Sequence, residues 1–310
     1  MELLALGALI MAVMVWAQIA ERHPRALKLL RGLHLLLGLM LVAVGVGMML
    51  HPDGLGAYAP DAARLGGLAV VSGVVLLLPL YGAQRIKFSW WQALQLDRPT
   101  PLVTWALLTL FLSSNVAMVM VKSLDEALPE HPLSFLWLQN IFVVVLVLVG
   151  VGWGFRRSGG ETARRLGLER PTFHTLLLGV SMALIMMITT GLVGGLVALI
   201  SGGDYGNDFN QQIIGRLPGV WGVISMGVAT GLGEEVLFRG ALQPVLGVGV
   251  TSLLFALSHA QYFNPAWVII FTLGLLLGFT RKRWGLGTAI LAHAVYNMLI
   301  GLLALWAMNF

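Results

Sequence analysis

The sequence predicts an all-α, polytopic membrane protein with about ten transmembrane helices. Its 310 residues are 58% hydrophobic and only 11% charged, and the mean hydropathy is +0.86. Soluble domains carry charge on about a quarter of their residues, so the composition excludes an ordinary soluble fold. The apolar runs have the length that a membrane helix needs, roughly 17–25 residues, and they lack the alternating pattern of outer-membrane β-strands.

Ten apolar segments make up most of the chain. The first lacks a basic leader and a small-residue cleavage site, so it is predicted to be a retained span and not a signal peptide. The predicted spans are residues 3–20, 33–50, 65–83, 102–121, 134–155, 173–200, 218–246, 249–263, 266–280 and 285–307.

The basic residues indicate how these spans are oriented. Fifteen of the nineteen lysine and arginine residues fall in alternate connections on one side, three fall on the other side, and Arg239 lies within a span. By the positive-inside rule the richer side is cytoplasmic, which predicts a multi-pass protein of the cytoplasmic (inner) membrane with both termini outside. The same distribution explains the net charge of +5 without a nucleic-acid partner. The absence of cysteine excludes disulfides, thiol nucleophiles and cysteine-ligated metals.

A basic connection with adjacent glycines, Gly159 and Gly160, predicts a boundary between two regions. Residues 1–160 form an N-terminal membrane region of about five helices, whose role the sequence does not indicate, and residues 171–308 form a C-terminal domain. His34, at the edge of a span, is predicted to be interfacial. Small and polar residues within the spans are predicted to pack helices together. These residues are Gly38, Gly45, Gly47, Ser113, Ser114, Asn115, Gly191, Gly194 and Gly195.

The stretch Gly231-Leu-Gly-Glu-Glu-Val-Leu-Phe-Arg-Gly240 places two carboxylates and a guanidinium inside an apolar run. Ionisable groups at membrane depth are costly and therefore indicate function. Glu235 and Arg239 are four residues apart, so a helix presents them on one face, with the acid first, the better order for an ion pair. Glu234 points about 100° away. The spacing predicts that Arg239 neutralises Glu235, while Glu234 stays available as a general base or acid.

Two later spans carry histidines. His259 ends the motif Phe255-Ala-Leu-Ser-His259, and His293 lies four residues before Asn297 in His293-Ala-Val-Tyr-Asn297. At a rise of 1.5 Å per residue from the inferred cytoplasmic ends, Glu234 lies roughly 14–18 Å deep, His259 roughly 16 Å and His293 roughly 14 Å. Three helices thus present a carboxylate and two imidazoles at one level, which predicts a single site.

These three motifs, in this order, resemble the CPBP family of intramembrane proteases, which includes the CAAX prenyl protease (Ras-converting enzyme) and bacteriocin-processing or immunity-associated membrane proteins. The resemblance covers roughly residues 173–306 and leaves the first five spans outside. It implies an all-helical membrane fold, a cavity open to the cytoplasmic side and to the membrane, and endopeptidase activity on a membrane-associated substrate.

The resemblance also implies roles for the polar residues. Glu234 would activate water together with His259, while His293 and Asn297 would stabilise the oxyanion. Peptide hydrolysis needs a base for the water and hydrogen-bond donors for the developing negative charge, and these side chains supply both. The supporting residues would be Glu235, Arg239 and Phe255.

The sequence leaves three alternatives open. A carboxylate and two imidazoles are also a sufficient zinc ligand set, so Glu234, His259 and His293 are alternative metal ligands. The metal-free interpretation is favoured because Asn297 gives His293 a second donor on the same helix face. A proton- or ion-coupled transporter would place polar residues along a path, whereas here they are concentrated in one layer. A noncatalytic immunity or scaffold protein would keep the same motifs. The substrate, its lipidation and the oligomeric state are not indicated.

Overall fold

The computed structural model describes residues 2–82, 86–121, 130–202, 208–259 and 265–308. Within these ranges the chain is almost entirely helical and contains no β-strand, which confirms the all-α fold class. Residues 260–263 of the eighth predicted span lie outside the described ranges. The helices are α1 Glu2–Ala20, α2 Pro24–Leu50, α3 Ala62–Gly82, α4 Ser89–Ala93, α5 Pro99–Met120, α6 Pro132–Val151, α7 Gly159–Leu166, α8 Phe173–Ser201, α9 Asp208–Gly215, α10 Gly219–Glu235, α11 Gln243–Leu257 and α12 Trp267–Ala307.

Seven helical segments of the described chain are long and apolar enough to cross a membrane, and Ala5–Ala20 is a shorter apolar helix. Two of the seven are about twice the length of a single crossing. Gly247 divides the segment Gly219–Leu257, and Gly285 divides α12, each with a positive φ that glycine adopts readily. These breaks coincide with the predicted gaps between spans. The protein is therefore an integral, multi-pass membrane protein, while the number of crossings stays a prediction.

The chain divides into two compact units, Met1–Ser123 and Leu124–Phe310. The second unit begins before the expected boundary at 160–171, because α6 packs with the C-terminal helices. Its residues Val147 and Val151 share a buried apolar cluster with Val236 and Leu286. The division of roles between residues 1–160 and 171–308 stays a prediction.

In the first unit, α2 and α3 pack closely through glycines. A side chain at Gly38 or Gly45 would collide with α3, whereas Gly47 faces open space, so the predicted packing role holds for the first two only. Ser113 shares a hydrogen bond of 2.6 Å with Ser72 of α3. His34 is buried and donates through Nε2 to a carbonyl of α3 at 2.6 Å, while its level relative to the membrane interface stays a prediction.

Polar and small residues elsewhere follow the packing prediction less closely. Ser114 and Asn115 hydrogen-bond to the Phe111 carbonyl of their own helix. In α8, Gly194 lies against the side chain of Ile269, but nothing described lies within 4 Å of a side chain placed at Gly191 or Gly195. The packing prediction is therefore wrong for these two glycines.

In the second unit, α10 and α12 approach each other through glycines that sequence analysis did not single out. A Cβ at Gly227 would lie 2.7 Å from the Ala294 carbonyl oxygen, and one at Gly231 would lie 2.8 Å from the Ala294 nitrogen. Only a residue without a side chain permits such backbone contact. This approach brings the end of α10 close to His293. The apolar core next to it consists of Met186, Phe238, Leu242, Phe255, Leu273, Leu277 and Ala292.

Candidate active site

The glutamate motif lies where α10 changes its helical geometry. The segment Val236–Leu242 is a π-helix, and the amide of Gln243 bonds to the carbonyl five residues earlier, that of Phe238. Short π-helical turns are rare in proteins. Where one is present, it is often at a functional site. Pro244 follows and has no amide hydrogen, so carbonyls in the preceding turn lose the donor that a regular helix would supply.

Two arginines from other elements supply donors to these carbonyls. Arg281 Nε donates to the Arg239 carbonyl at 3.0 Å, and Arg165 Nη1 donates to the Gly240 carbonyl at 3.3 Å. Both arginines were counted only as basic connecting residues in the sequence. The proline at position 244 was the available signal that such donors are required.

Glu235, Arg239 and His293 form a buried cluster. Glu235 and Arg239 are both fully inaccessible to solvent. Arg239 Nη1 lies 3.0 Å from Glu235 Oε1, as the four-residue spacing predicts. The same oxygen lies 2.9 Å from His293 Nδ1. Because an ionised carboxylate only accepts hydrogen bonds, His293 donates its Nδ1 proton to Glu235, which fixes the orientation of the ring.

Arg239 is held by further contacts with neighbouring helices. Its Nη2 donates to the Gly274 carbonyl of α12 at 3.1 Å. Its guanidinium carbon lies 4.3 Å from the centre of the Phe255 ring of α11, within the range of a cation–π interaction. Arg239 therefore joins α10, α11 and α12 around one buried charge.

Glu234 has very different surroundings from Glu235. Its side chain is 25% exposed, and its Oε2 atom lies 3.7 Å from His259 Nε2. That distance is too long for a direct hydrogen bond. Within the described residues, Glu234 Oε2 has no hydrogen-bond partner. The two atoms are close enough for one small polar group to contact both.

His259 is oriented by its own chain. It follows the end of α11, and its Nδ1 donates to the Phe255 carbonyl at 2.7 Å. In the neutral ring this bond leaves the lone pair on Nε2, the nitrogen that faces Glu234. Phe255 lies between the two imidazoles, with ring centres 4.6 Å from His259 and 5.9 Å from His293. The structure thus brings both histidines together at one aromatic side chain.

Asn297 lies one turn after His293 and is half-buried. Its Nδ2 donates to Thr230 Oγ1 of α10 at 2.9 Å, and Thr230 in turn donates to the Met226 carbonyl. Sequence analysis did not single out Thr230. Its position four residues before Glu234, on the same helix, was the signal that could have identified it.

Residues 216–299 match the family model described as type II CAAX prenyl endopeptidase Rce1-like. This segment is therefore similar to that family and is called the Rce1-like domain below. The match is consistent with the CPBP family and includes all three motifs, but it is shorter than the 173–306 range of the resemblance. No curated protein and no solved structure matches the chain.

The Rce1-like domain accounts for only part of the second compact unit. It contains α10, the π-helix, α11 and most of α12, whereas α6 and α8 lie outside it. Both outer helices contact it. The Asn140 side chain of α6 occupies the space beside Gly233, and Leu291 of α12 occupies the space beside Gly179 of α8. The Rce1-like family is a protease family, so the match supports a peptidase at the level of the family only.

The donor set of the Rce1-like domain was tested against the zinc alternative. Among the residues that the structure describes, no group of three or more histidine, aspartate or glutamate side chains is arranged to hold a metal ion. Glu234 and His259 form one pair, whereas the Nδ1 atom of His293 bonds to Glu235. That bond leaves Nε2 of His293 with its lone pair, as in the neutral ring of a metal-ligating histidine. Zinc held by Glu234, His259 and His293 therefore stays an alternative prediction.

Proposed function

We propose that this protein is an intramembrane endopeptidase that hydrolyses a peptide bond of a membrane-associated or lipidated substrate with water activated by Glu234. One observation carries the proposal. Glu234 Oε2 has no hydrogen-bond partner within the described residues and lies 3.7 Å from a histidine nitrogen, whereas one oxygen of the neighbouring Glu235 contacts both Arg239 and His293. A carboxylate left in this state at membrane depth is available for chemistry.

The first step uses Glu234 and His259. Two atoms 3.7 Å apart can both lie about 2.8 Å from a single water oxygen. As the water oxygen attacks the carbonyl carbon, Glu234 takes a water proton, and the peptide C=O π electrons move onto the oxygen. The proton then passes to the leaving amine as the C–N bond breaks, which restores the carboxylate. His259 Nε2 orients the water because its Nδ1 is already bound to the Phe255 carbonyl.

Asn297 and His293 would donate hydrogen bonds to the substrate oxygen as it becomes negatively charged. Asn297 uses one amide hydrogen for Thr230 and keeps a second for the oxyanion. His293 donates its Nδ1 proton to Glu235, so it reaches an oxyanion through Nε2 only as an imidazolium. The Glu235 carboxylate stabilises that cation. Positioned donors of this kind typically contribute about 10²–10³ in rate.

Glu235, Arg239 and Phe255 act as positioning residues. The ion pair fixes the helix that carries Glu234, and the Phe255 ring contacts the Arg239 guanidinium and both imidazoles. None of these three residues needs to touch the substrate. We propose a cytoplasmic (inner) membrane location with both termini outside, a lipid environment and a peptide substrate, without a nucleic-acid partner. We propose metal-free chemistry, in which Glu234 and His259 alone position and activate the water.

The test compares the fragments of membrane proteins in cells that carry the wild type or Glu234→Gln. Glutamine keeps the size and polarity of the side chain but cannot accept the proton. We expect a set of wild-type fragments to disappear in the variant, with equal amounts of folded protein in the membrane. Glu130→Gln, an exposed position outside the site, is the matched control and should leave the fragments unchanged.

Undiminished cleavage in Glu234→Gln would refute the assignment of the base. If no fragments depend on the protein, but ion or solute uptake into proteoliposomes depends on Glu234, the transporter alternative replaces the peptidase. If the cellular effect survives Glu234→Gln and is lost when the first compact unit is disrupted, a noncatalytic scaffold replaces it.

A further inference from the structure

A pocket lies between the connection that precedes α8 and the middle of α12. Its volume is about 430 Å³. Four basic side chains line it, and Glu169 is its one acidic side chain. The four are Arg170, Arg281, Lys282 and Arg283. The pocket is therefore strongly attractive to an anion.

The basic residues of this pocket are not neutralised by the described part of the chain. None of the ion pairs found among the described residues involves Arg170, Lys282 or Arg283. Lys282 and Arg283 are exposed. Three cations concentrated around one cavity repel each other, so an anion that enters it is stabilised by all of them.

The pocket also lies at the level where membrane helices begin. Thr172 caps α8 with a capping box, and the next residue, Phe173, is 80% exposed and starts an apolar helix of 29 residues. On the other wall, Gly285 breaks α12 between its two apolar halves. Both features place the cavity at a membrane surface, and the basic connections predict that this surface is cytoplasmic.

We propose that this pocket binds the phosphate group of an anionic phospholipid headgroup. The cytoplasmic leaflet is rich in anionic lipids, and basic pockets between membrane helices suit such headgroups. Arginine and lysine both bind phosphate oxygens, the first through paired N–H groups and the second as a point charge. The proposal does not depend on peptidase activity.

The pocket is physically linked to the candidate active site by Arg281. This side chain lines the pocket, and its Nε donates to the Arg239 carbonyl in the π-helix. A headgroup in the pocket would therefore contact the same guanidinium that completes the hydrogen bonding of the π-helix. For this reason the test variants leave Arg281 unchanged.

The test measures lipid binding to the full chain in neutral detergent by native mass spectrometry. Phosphatidylglycerol is the anionic probe and phosphatidylcholine is the neutral reference. The pocket variant is Lys282→Gln with Arg283→Gln. The matched control is Arg25→Gln with Lys28→Gln, which removes the same charges from exposed positions in the first compact unit. Glycerol 3-phosphate, added as a competitor, distinguishes a free phosphate from a lipid headgroup.

We expect the wild type to prefer phosphatidylglycerol and the pocket variant to lose that preference. Each basic residue near an anionic lipid contributes a factor of about five, so the loss of both should weaken binding by roughly 25-fold. The control should bind as the wild type does. Weak competition by glycerol 3-phosphate identifies the lipid as the source, and strong competition identifies a soluble phosphate in the same site. Equal losses in the two variants, or no preference in the wild type, would overturn the proposal.

Discussion

Two neighbouring glutamates divide the candidate site into a closed half and an open half. In the closed half, Glu235 is fully buried, and one of its oxygens lies 3.0 Å from Arg239 Nη1 and 2.9 Å from His293 Nδ1. In the open half, the Glu234 side chain is 25% exposed and lies 3.7 Å from His259. A rotation of about 100° around one helix separates the two surroundings. Adjacent residues of the same type can thus serve structure and chemistry separately.

The comparison also shows how the closed half supports the open one. Removing two charges from water costs several kcal/mol per ion, which close pairing must offset. Arg239 also donates a hydrogen bond to the Gly274 carbonyl and lies over the Phe255 ring, so groups from three helices stabilise its charge. The cluster therefore holds the helix backbone that carries Glu234.

The largest expected effect is on turnover in the open half. Replacing Glu234 by Gln should lower peptide hydrolysis by about 10²–10⁴-fold, the usual contribution of a general base and equal to about 3–5 kcal/mol of barrier. The free energy of unfolding in detergent should change little, because no described group pairs with Glu234 Oε2 through a hydrogen bond. Cleavage assays and thermal unfolding of the same preparation measure both quantities. A strongly destabilised variant would show that Glu234 belongs to the closed half.

The next effect is on stability in the closed half. Replacing Arg239 by Met should lower the free energy of unfolding by about 3–5 kcal/mol, because Glu235 then stays buried without its cation. Adding Glu235→Gln to this variant should recover part of the loss, since the unpaired charge is removed. Chemical unfolding in detergent, with Glu234→Gln as the control, measures the difference. If Arg239→Met costs no more than Glu234→Gln, the two halves are not energetically distinct.

A smaller effect is expected at the close contact between α10 and α12, the helices that carry Glu235 and His293. Gly231→Ala places a Cβ 2.8 Å from the Ala294 backbone nitrogen, and such overpacking typically costs about 1–3 kcal/mol. The shift should also separate Glu235 from His293, so activity should fall further than stability alone explains. Gly191→Ala is the control, since nothing described lies within 4 Å of its added Cβ. Equal unfolding free energies for the two variants would contradict the close-packing argument.

The local part of this site was predictable from the sequence. The pairing of Glu235 with Arg239 follows from a spacing of four residues, and the all-α membrane fold follows from composition and the length of apolar runs. The close approach of Glu234 and His259 was also expected from their estimated depths. The ion pair follows from helix periodicity, the fold class from the length of apolar runs, and the common depth from the rise per residue, all of which can be read from the sequence.

The remaining features depend on how helices approach each other. The sequence indicated a convergence of His293 with Glu234, but it did not indicate that His293 Nδ1 bonds to the neighbouring Glu235. That choice of partner is set by backbone contact at Gly231 and Ala294, which no single helix reveals. The π-helix was missed for a related reason, because its apolar pattern is that of an α-helix and only Pro244 indicated a disturbance. Likewise, the inclusion of α6 in the second unit depends on packing across the chain.

The smallest effect is expected at Glu21, a paired carboxylate outside the membrane spans that can be compared with Glu235. Glu21 accepts hydrogen bonds from Arg98 Nη2 at 2.8 Å and from Thr100 Oγ1 at 2.7 Å. Burial alone would raise the pKa of Glu21, but the bonds from Arg98 and Thr100 outweigh it and hold the pKa below its usual value. Like Glu235, this side chain is paired, but its arginine is 44% exposed and screened by solvent. The pair should therefore contribute only about 0.5–1 kcal/mol.

This contribution has a defined pH dependence. Because the folded pKa of Glu21 is lowered, its stabilisation is fully present above the unfolded pKa and is lost as the pH falls through the folded value. The difference in unfolding free energy between the wild type and Glu21→Gln should thus be constant near neutral pH and should shrink in acid. Unfolding measurements from neutral to acidic pH test this, with Glu130→Gln, the same substitution at an exposed position, as the matched control. If the difference in unfolding free energy instead grows on acidification, the folded state favours the protonated form of Glu21. Glu21 would then not be an example of a paired, ionised carboxylate.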